Sequence, residues 1–335
     1  MDLKQLTEAF GPTGNEGEVR LLLRFEAEKL CSDVSIDRAG NLVCRKPGRD
    51  PLKPRVVVAA HMDEVGFIIT GYTDDGLLRF KPLGGIDPRV AVSQWVIIGR
   101  ERLKGVIGAM AIHLQSAADR EKVLDFDGLY IDIGAKDAKE AEKLVELGSY
   151  AVFDTPCREF GDGFVSARAL DDRVGCLSLL EVLKSGYQGE LTCVFVTQEE
   201  AGLRGSKGAA YSIQPDIALV LEGTAANDLG DTRDQFRVCT PGQGVAVSFM
   251  DKASIADREL FTGIQQTAAD AGIPFQIKKG VTGGNDAASF QQGGRGARTC
   301  VLSVPCRYIH SGVSVAKLSD IKAQADLVKA FLQRL

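Results

Sequence analysis

Residues 55–66 read RVVVAAHMDEVG. In the run 55–59 every residue after Arg55 is apolar, at odd and even positions alike, whereas a strand with one wet face alternates. Such a strand is buried on both faces and belongs at the centre of a sheet covered by helices on either side. His61 follows directly, at the strand end where open α/β sheets gather their ligands. Asp63, two residues on, lies on the same side of an extended chain. It is placed to hydrogen-bond the imidazole, fix its tautomer and raise its basicity as a ligand. On its own, HxD is a weak signal, and a purely structural histidine explains it as well.

Working outward, residues 16–30 carry apolar side chains at helical spacing, with Asn15 as a possible cap. Short strands follow at 34–36 and 41–44. Between about 72 and 164 the texture changes to short alternating runs (LLRFKPL, SQWVIIG, LKGVIGAM, LYIDIG) broken by Gly, Pro and Asp, with one helix at 138–147. After Asp171 the rhythm returns to helix 171–184, strand 190–197, helix 203–211, strands 216–221 and 244–249, helix 255–270, strand 297–304 and helix 319–333. Alternating elements predict an α/β chain: a three-layer α/β/α sandwich with a mixed, largely parallel central sheet. Residues 1–70 and 165–335 are expected to form that domain. Residues 71–164 are expected to form a small β-rich insert, a β-barrel or PDZ-like.

The 335 residues are 44% hydrophobic, enough for a sizeable core, and 25% charged with net charge −5. There is no basic excess to attract nucleic acid or an anionic membrane. No signal-peptide pattern and no apolar run of spanning length is visible, so a cytoplasmic location is expected. The eight cysteines include no CxxC pair, and most sit in apolar stretches. They read as buried free thiols rather than a zinc knot.

Four more segments carry chemistry. ALDDRVG sets Asp171 and Asp172 at a helix start, either as an N-cap pair or with a carboxylate that bridges metals. TQEEAGLRG places Glu199 and Glu200 after a fully apolar strand. Two adjacent carboxylates there repel unless a cation or proton offsets them, although a solvated loop pair is the plainer alternative. IALVLEGT ends a strand at Glu222, and RYIHSGV puts His310 in a turn after another. The chain has three histidines. The remaining one, His113 in the insert, reads as structural. Strand ends on one edge of a parallel sheet converge, so His61, Glu199 or Glu200, Glu222 and His310, with Asp171 from the helix start, together suit two divalent ions with mixed N and O ligands.

HMDEVG, ALDDRVG, TQEEAGLRG, LEGT and HSGV, in this order, resemble the tetrahedral and glutamyl-aminopeptidase-like metallopeptidases, a group of two-metal exopeptidases. The resemblance spans nearly the whole chain, and TGGNDAASF from Thr282 belongs to it, with Asn285 where Thr is common. It implies one ion on His61 and Glu222, another on Glu200 and His310, and Asp171 between them, often with a cis peptide to Asp172. Glu199 would be the general base and Asp63 the partner of His61. The family often has Asp where this chain has Glu222. Zinc or cobalt is the expected metal, with manganese possible. Peptides are the expected substrates, and the insert would help assemble a homo-oligomer, a hollow dodecamer in that family.

Bound metal lowers the pKa of water from about 15.7 towards 7, supplying a nucleophile for amide hydrolysis. A deacylase or amidohydrolase on the same scaffold is the leading alternative. A glycoside hydrolase, which commonly works with two carboxylates and no metal, and a non-catalytic peptide-binding protein follow. Neither GxSxG nor a P-loop occurs, which argues against a serine hydrolase or that route to nucleotide hydrolysis. The preferred N-terminal residue is not readable, but an acidic preference would need a basic pocket. Lys278, Lys279, Arg298 and Arg307 are candidates for it.

Overall fold

The computed structural model describes residues 1–335, apart from the side chain of Asp119. Along the chain come β1 (Asp33–Ile36), β2 (Leu42–Lys46) and β3 (Val56–His61). Next are β4 (Gly66–Tyr72), β5 (Leu78–Leu83), β6 (Trp95–Ile98), β7 (Leu103–Ala109), β8 (Leu129–Asp132) and β9 (Tyr150–Phe153). The last group is β10 (Arg158–Phe160), β11 (Phe164–Ala167), β12 (Leu191–Val196), β13 (Ile217–Ala225), β14 (Val245–Ser248), β15 (Phe275–Lys278), β16 (Arg298–Arg307) and β17 (Ser314–Lys317).

Eleven of these strands form one sheet in the order β1-β2-β12-β3-β13-β16-β17-β11-β10, with β14 on β16 and β15 on β14. The central four, β12, β3, β13 and β16, are parallel, and antiparallel strands flank them. All of β3 is buried, and its alternation shows why both parities are apolar. Val56, Val58 and Ala60 join one core with helices Gly17–Ala27, Leu170–Lys184, Arg258–Ala271 and Leu318–Arg334. Val57 and Ala59 join a second core, with Ala209 and Ala210 of helix Arg204–Ile213 and Phe290 of helix Ala287–Gln292. This is the three-layer arrangement that the 55–59 run predicts.

The other six strands close into an antiparallel barrel in the order β4-β5-β8-β7-β6-β9, with its own core around Phe67, Phe80, Phe126 and Phe153. Closure leaves no unpaired strand edge. Seven of the eight cysteines are buried and all are free. No described helix is long and apolar enough to cross a membrane.

Two elements differ from expectation in a way that shapes the site. β13 does not stop at 221 but runs to Ala225, because β16 pairs with it as far as Cys306. Its other neighbour, β3, leaves after the Val220–Ala59 pair. The two strands therefore part just before His61 and Glu222, opening a crevice at the carboxyl edge. The helix expected over 171–184 is Leu170–Lys184, but Asp171 and Asp172 within it have non-helical backbone and share a cis peptide bond.

Candidate active site

Each functional side chain sits where regular structure ends or splits. His61 is the last residue of β3 and is 1% exposed. Its Nδ1 lies 3.2 Å from the Asp63 carbonyl oxygen and 3.5 Å from Asp63 Oδ1. Asp63 does more than face the imidazole. Its two carboxylate oxygens accept the backbone N–H of Glu199 (3.0 Å) and Glu200 (3.1 Å). One buried carboxylate thus locks the end of β3 to the loop after β12. Asn41 secures the same loop, since Thr197 N–H donates to its Oδ1 at 2.9 Å.

The helix start resolves the Asp171–Asp172 ambiguity by dividing the roles. Asp172 is the capping residue: it accepts the N–H of Gly175 (3.0 Å) and of His61 (3.2 Å). Asp171 turns into the crevice. Its Oδ1 lies 3.4 Å from His61 Nε2 and its Oδ2 lies 3.6 Å from His310 Nε2. Glu222 Oε2 is 3.6 Å from His61 Nε2, and Glu200 Oε1 is 3.2 Å from His310 Nε2. His310, in left-handed backbone (φ 57°), is steadied by Gly85 O of the barrel, 3.0 Å from its Nδ1.

The geometry is two triads with a shared member. One ligand atom each from His61, Asp171 and Glu222 lies within 4.8 Å of the others, and the same holds for Asp171, Glu200 and His310. His61, Glu199 and Glu200 form a third such group. The site fits divalent cations on two counts. Two imidazole nitrogens with carboxylate oxygens are a zinc-type donor set. Asp171 Oδ1 and Glu222 Oε1 are sealed in the protein without any hydrogen-bond partner. An orphaned buried acceptor costs about 1–3 kcal/mol, more when charged, unless a cation satisfies it.

The electrostatics point the same way. Burial pulls the pKa of His310 down, but Asp171 and Glu200 override it and lift it to about 11. Burial likewise opposes charge on His61, yet Asp171, Asp63 and Glu222 hold it well above its usual value. Burial pushes Glu222 well up, and Glu199 too, with Asp286, Glu200 and Asp63 adding to the latter. The acids outnumber the nearby cations, a deficit that bound metal would cancel.

Sequence reasoning missed several residues. Asp286 is fully buried and burial lifts its pKa to about 7. Neither of its oxygens has a hydrogen-bond partner, and the nearby Ser206 hydroxyl donates to Ser289 Oγ (2.8 Å) instead. Behind the site, Glu64 meets Arg168 and Arg173, both buried. Gly85 offered no signal at all. His113, expected to be structural, lies exposed on the turn Ile112–Leu114, outside the site. Of the four basic candidates, Arg307 is paired with Asp228 (2.9 and 2.7 Å), Arg298 with Glu259 (3.0 Å), and Lys279 is exposed. Lys278 lines the cavity of about 530 Å3 that also holds both triads.

Residues 40–327 match the family described as M42 glutamyl aminopeptidase. A lysyl aminopeptidase of Pyrococcus furiosus is 29% identical over 99% of this chain and 96% of its own. The TET aminopeptidase of the archaeon Thaumarchaeota SCGC AB-539-E09 superposes with a TM-score of 0.95 at 31% identity, covering 99% of this chain and 95% of that one. The Pyrococcus horikoshii TET1 peptidase, which can assemble into a tetrahedron or a large octahedral shell, gives 0.85 at 34% identity, with 98% and 97% covered. A profile match over most of the chain, joined to these end-to-end likenesses, places this chain in the M42 glutamyl aminopeptidase family.

Proposed function

We propose that in this metallo-aminopeptidase Glu199 is the general base, and that two divalent ions, zinc or cobalt, are held by His61 with Glu222 and by Glu200 with His310. Asp171 stands between them. The observation that carries the reading is the pair of triads meeting at Asp171. When bound, the ions supply a nucleophilic water at neutral pH and polarise the scissile carbonyl.

The protein's own groups do the rest. Glu199 lines the cavity beside His61 and Glu200 and is placed to take a proton from the attacking water and hand it to the leaving amine. Asp63 positions both Glu199 and Glu200 through their backbone and orients His61. A free N-terminal amine gives the substrate an anchor at an acidic site that an internal peptide bond lacks. By analogy with the shells formed by the TET1 peptidase and with the dodecamer of PhTET1-12s, we place the chain in a homo-oligomer, a dodecamer, with the barrel as its assembly module. A cytoplasmic location accords with the free cysteines.

The test is metal-stripped protein with aminoacyl-p-nitroanilides and short peptides, reloaded with zinc, cobalt or manganese. N-terminal residues should be released only with metal, and never from N-acetylated peptides. Glu199→Gln should keep its metal and lose about 10²–10⁴ in kcat. Unchanged turnover in that variant would remove Glu199 from its role. Release from N-acylated substrates alone would favour the deacylase, and loss of activity with a chelator would exclude the glycosidase.

A further inference from the structure

Two charged side chains line the same cavity and have no part in the proposed chemistry: Asp251 and Lys278. They are in opposite states. Asp251 is fully engaged, accepting the N–H of Ala253 and Ser254 (2.7 Å each), the Ser254 hydroxyl (2.9 Å) and the Asn285 amide (2.9 Å). Four donors satisfy both of its oxygens, so it holds the 282–285 wall in place rather than reaching for a ligand.

Lys278 is the reverse. It ends β15 opposite Ser248, on the wall next to Val238, whose carbonyl accepts the N–H of Lys279 at 3.0 Å. The residue is 8% exposed, yet among the described residues its ammonium makes no hydrogen bond or ion pair. Nor is that ammonium among the atoms sealed in the protein without a partner, so it opens on the cavity. A lysine whose stem is buried and whose ammonium meets the cavity without a protein partner is held in place to receive an anion. Asp171, Glu199, Glu200 and Glu222 are committed to the proposed ions and chemistry, and Asp251 to its four donors, which leaves Lys278 as the one charged lining residue without a partner among the described residues.

We propose that Lys278 is the specificity-determining residue for the N-terminal side chain and selects an acidic one, glutamate or aspartate. The inference rests on the aminopeptidase reading and goes further than family membership, because relatives in this family include one named for lysyl substrates. A side chain entering the cavity while its amine sits at the acidic site meets one free cation, Lys278. Its carboxylate replaces the water that solvates the ammonium with a charge-assisted hydrogen bond. Neutral side chains leave the ammonium unpaired, and basic ones oppose it.

The experiment compares kcat/KM for Glu-, Asp-, Leu- and Lys-p-nitroanilide in the metal-loaded enzyme, with calorimetric binding of free L-glutamate and L-leucine alongside. The wild type is expected to prefer Glu or Asp. Lys278→Met should lower the Glu/Leu ratio about 100-fold, the scale set by leaving a charged group unpaired. Lys278→Arg should keep the acidic preference and so control for folding, and Lys278→Glu should turn the preference towards Lys. A wild type that favours Lys would overturn the proposal, since a basic side chain would then be entering beside the Lys278 ammonium. One that favours Leu, or a Glu/Leu ratio unmoved in Lys278→Met, would overturn the proposal outright. If no substrate is cleaved yet glutamate binds selectively and loses that selectivity in Lys278→Met, the reaction assignment fails and the Lys278 site stands.

Discussion

Replacing Glu64 with Gln should destabilise the protein by about 3–5 kcal/mol, although Glu64 touches neither substrate nor metal. The carboxylate is 3% exposed and lies against two guanidinium groups, Arg168 (2%) and Arg173 (0%). The cluster carries one negative and two positive charges. The remaining guanidinium donors go to backbone: Arg168 to Glu8 O and Ala9 O, and Arg173 to Leu6 O, Gly11 O and Met62 O (3.0 Å). The network ties the N-terminal segment to the residue that follows His61. Glutamine keeps the shape and removes the charge, leaving two cations together out of water, and breaking a buried ion pair from one side costs about 3–5 kcal/mol. With an unfolding entropy of about 2.1 cal/mol/K per residue over 335 residues, that is a fall in Tm of about 4–7 °C. Calorimetry at fixed protein and metal concentration reads it, because ligand and assembly both shift Tm. Adding Arg168→Met removes one of the stranded cations and should recover part of the loss, a coupling only a double-mutant cycle exposes. A Glu64→Gln Tm within about 1 °C of wild type would refute the argument, since the two arginines would then be adequately solvated without their carboxylate.

Two further perturbations test the site and its surroundings. A Cβ at Gly223 would stand 3.1 Å from both Cα and Oδ1 of Asp171, so Gly223→Ala should displace the shared carboxylate. Metal affinity measured by competition with a chelator should fall about 10–100-fold, the scale of a disturbed ligand support, and unchanged affinity would show that Asp171 is not shared. Arg307 holds the Asp228 carboxyl below the usual range. A depressed folded pKa gives stability present above the unfolded value of about 3.9 and lost as pH falls through the folded one. Asp228→Asn should therefore cost about 1–2 kcal/mol in urea unfolding at pH 7. That gap should close below about pH 4, and a gap independent of pH would assign the loss to packing.

Much of the catalytic scaffold was legible because its signals are local. The two-parity apolar run at 55–59 requires a covered central strand, and strand-terminal His and carboxylate residues need only a parallel sheet to converge. Glu222 shows the limit. Its residue type marked it, but its place inside β13 depends on β16 continuing to pair after β3 departs, which no residue near Glu222 encodes. Asp171 was marked as the site carboxylate, but the task of Asp172, which accepts the N–H groups of Gly175 and His61, was hidden because one of its partners lies 111 residues away. Asp286 and the Glu64–Arg168–Arg173 cluster derive their character from burial, and burial of a charged residue is set by distant partners. Lys278 stood among four basic candidates, and only the pairing of Arg298 and Arg307 elsewhere, with the exposure of Lys279, separates it from them.

The barrel bears on the site more directly than an appended module would. The chain leaves the sheet just after His61 and returns at β10, so the barrel is seated across the carboxyl edge where the triads lie. Its entry side supplies Gly85 O to His310 Nδ1. Its exit side supplies Thr155, whose hydroxyl donates to Gly312 O, two residues past His310. Gly84, at φ +82°, brings the same barrel loop against Glu200, where an added Cβ would meet the carboxylate Oε2 at 3.3 Å. Barrel backbone thus lies against both side chains of the Glu200–His310 pair, while His61 is held by Asp63 and Asp172, and the Glu222 backbone by Gln324 of the last helix. The two triads, alike in ligand chemistry, therefore differ in what holds them. Any force that shifts the barrel acts first on His310 and Glu200, and reaches His61 through Asp171 and through Asp63, which accepts the Glu200 N–H.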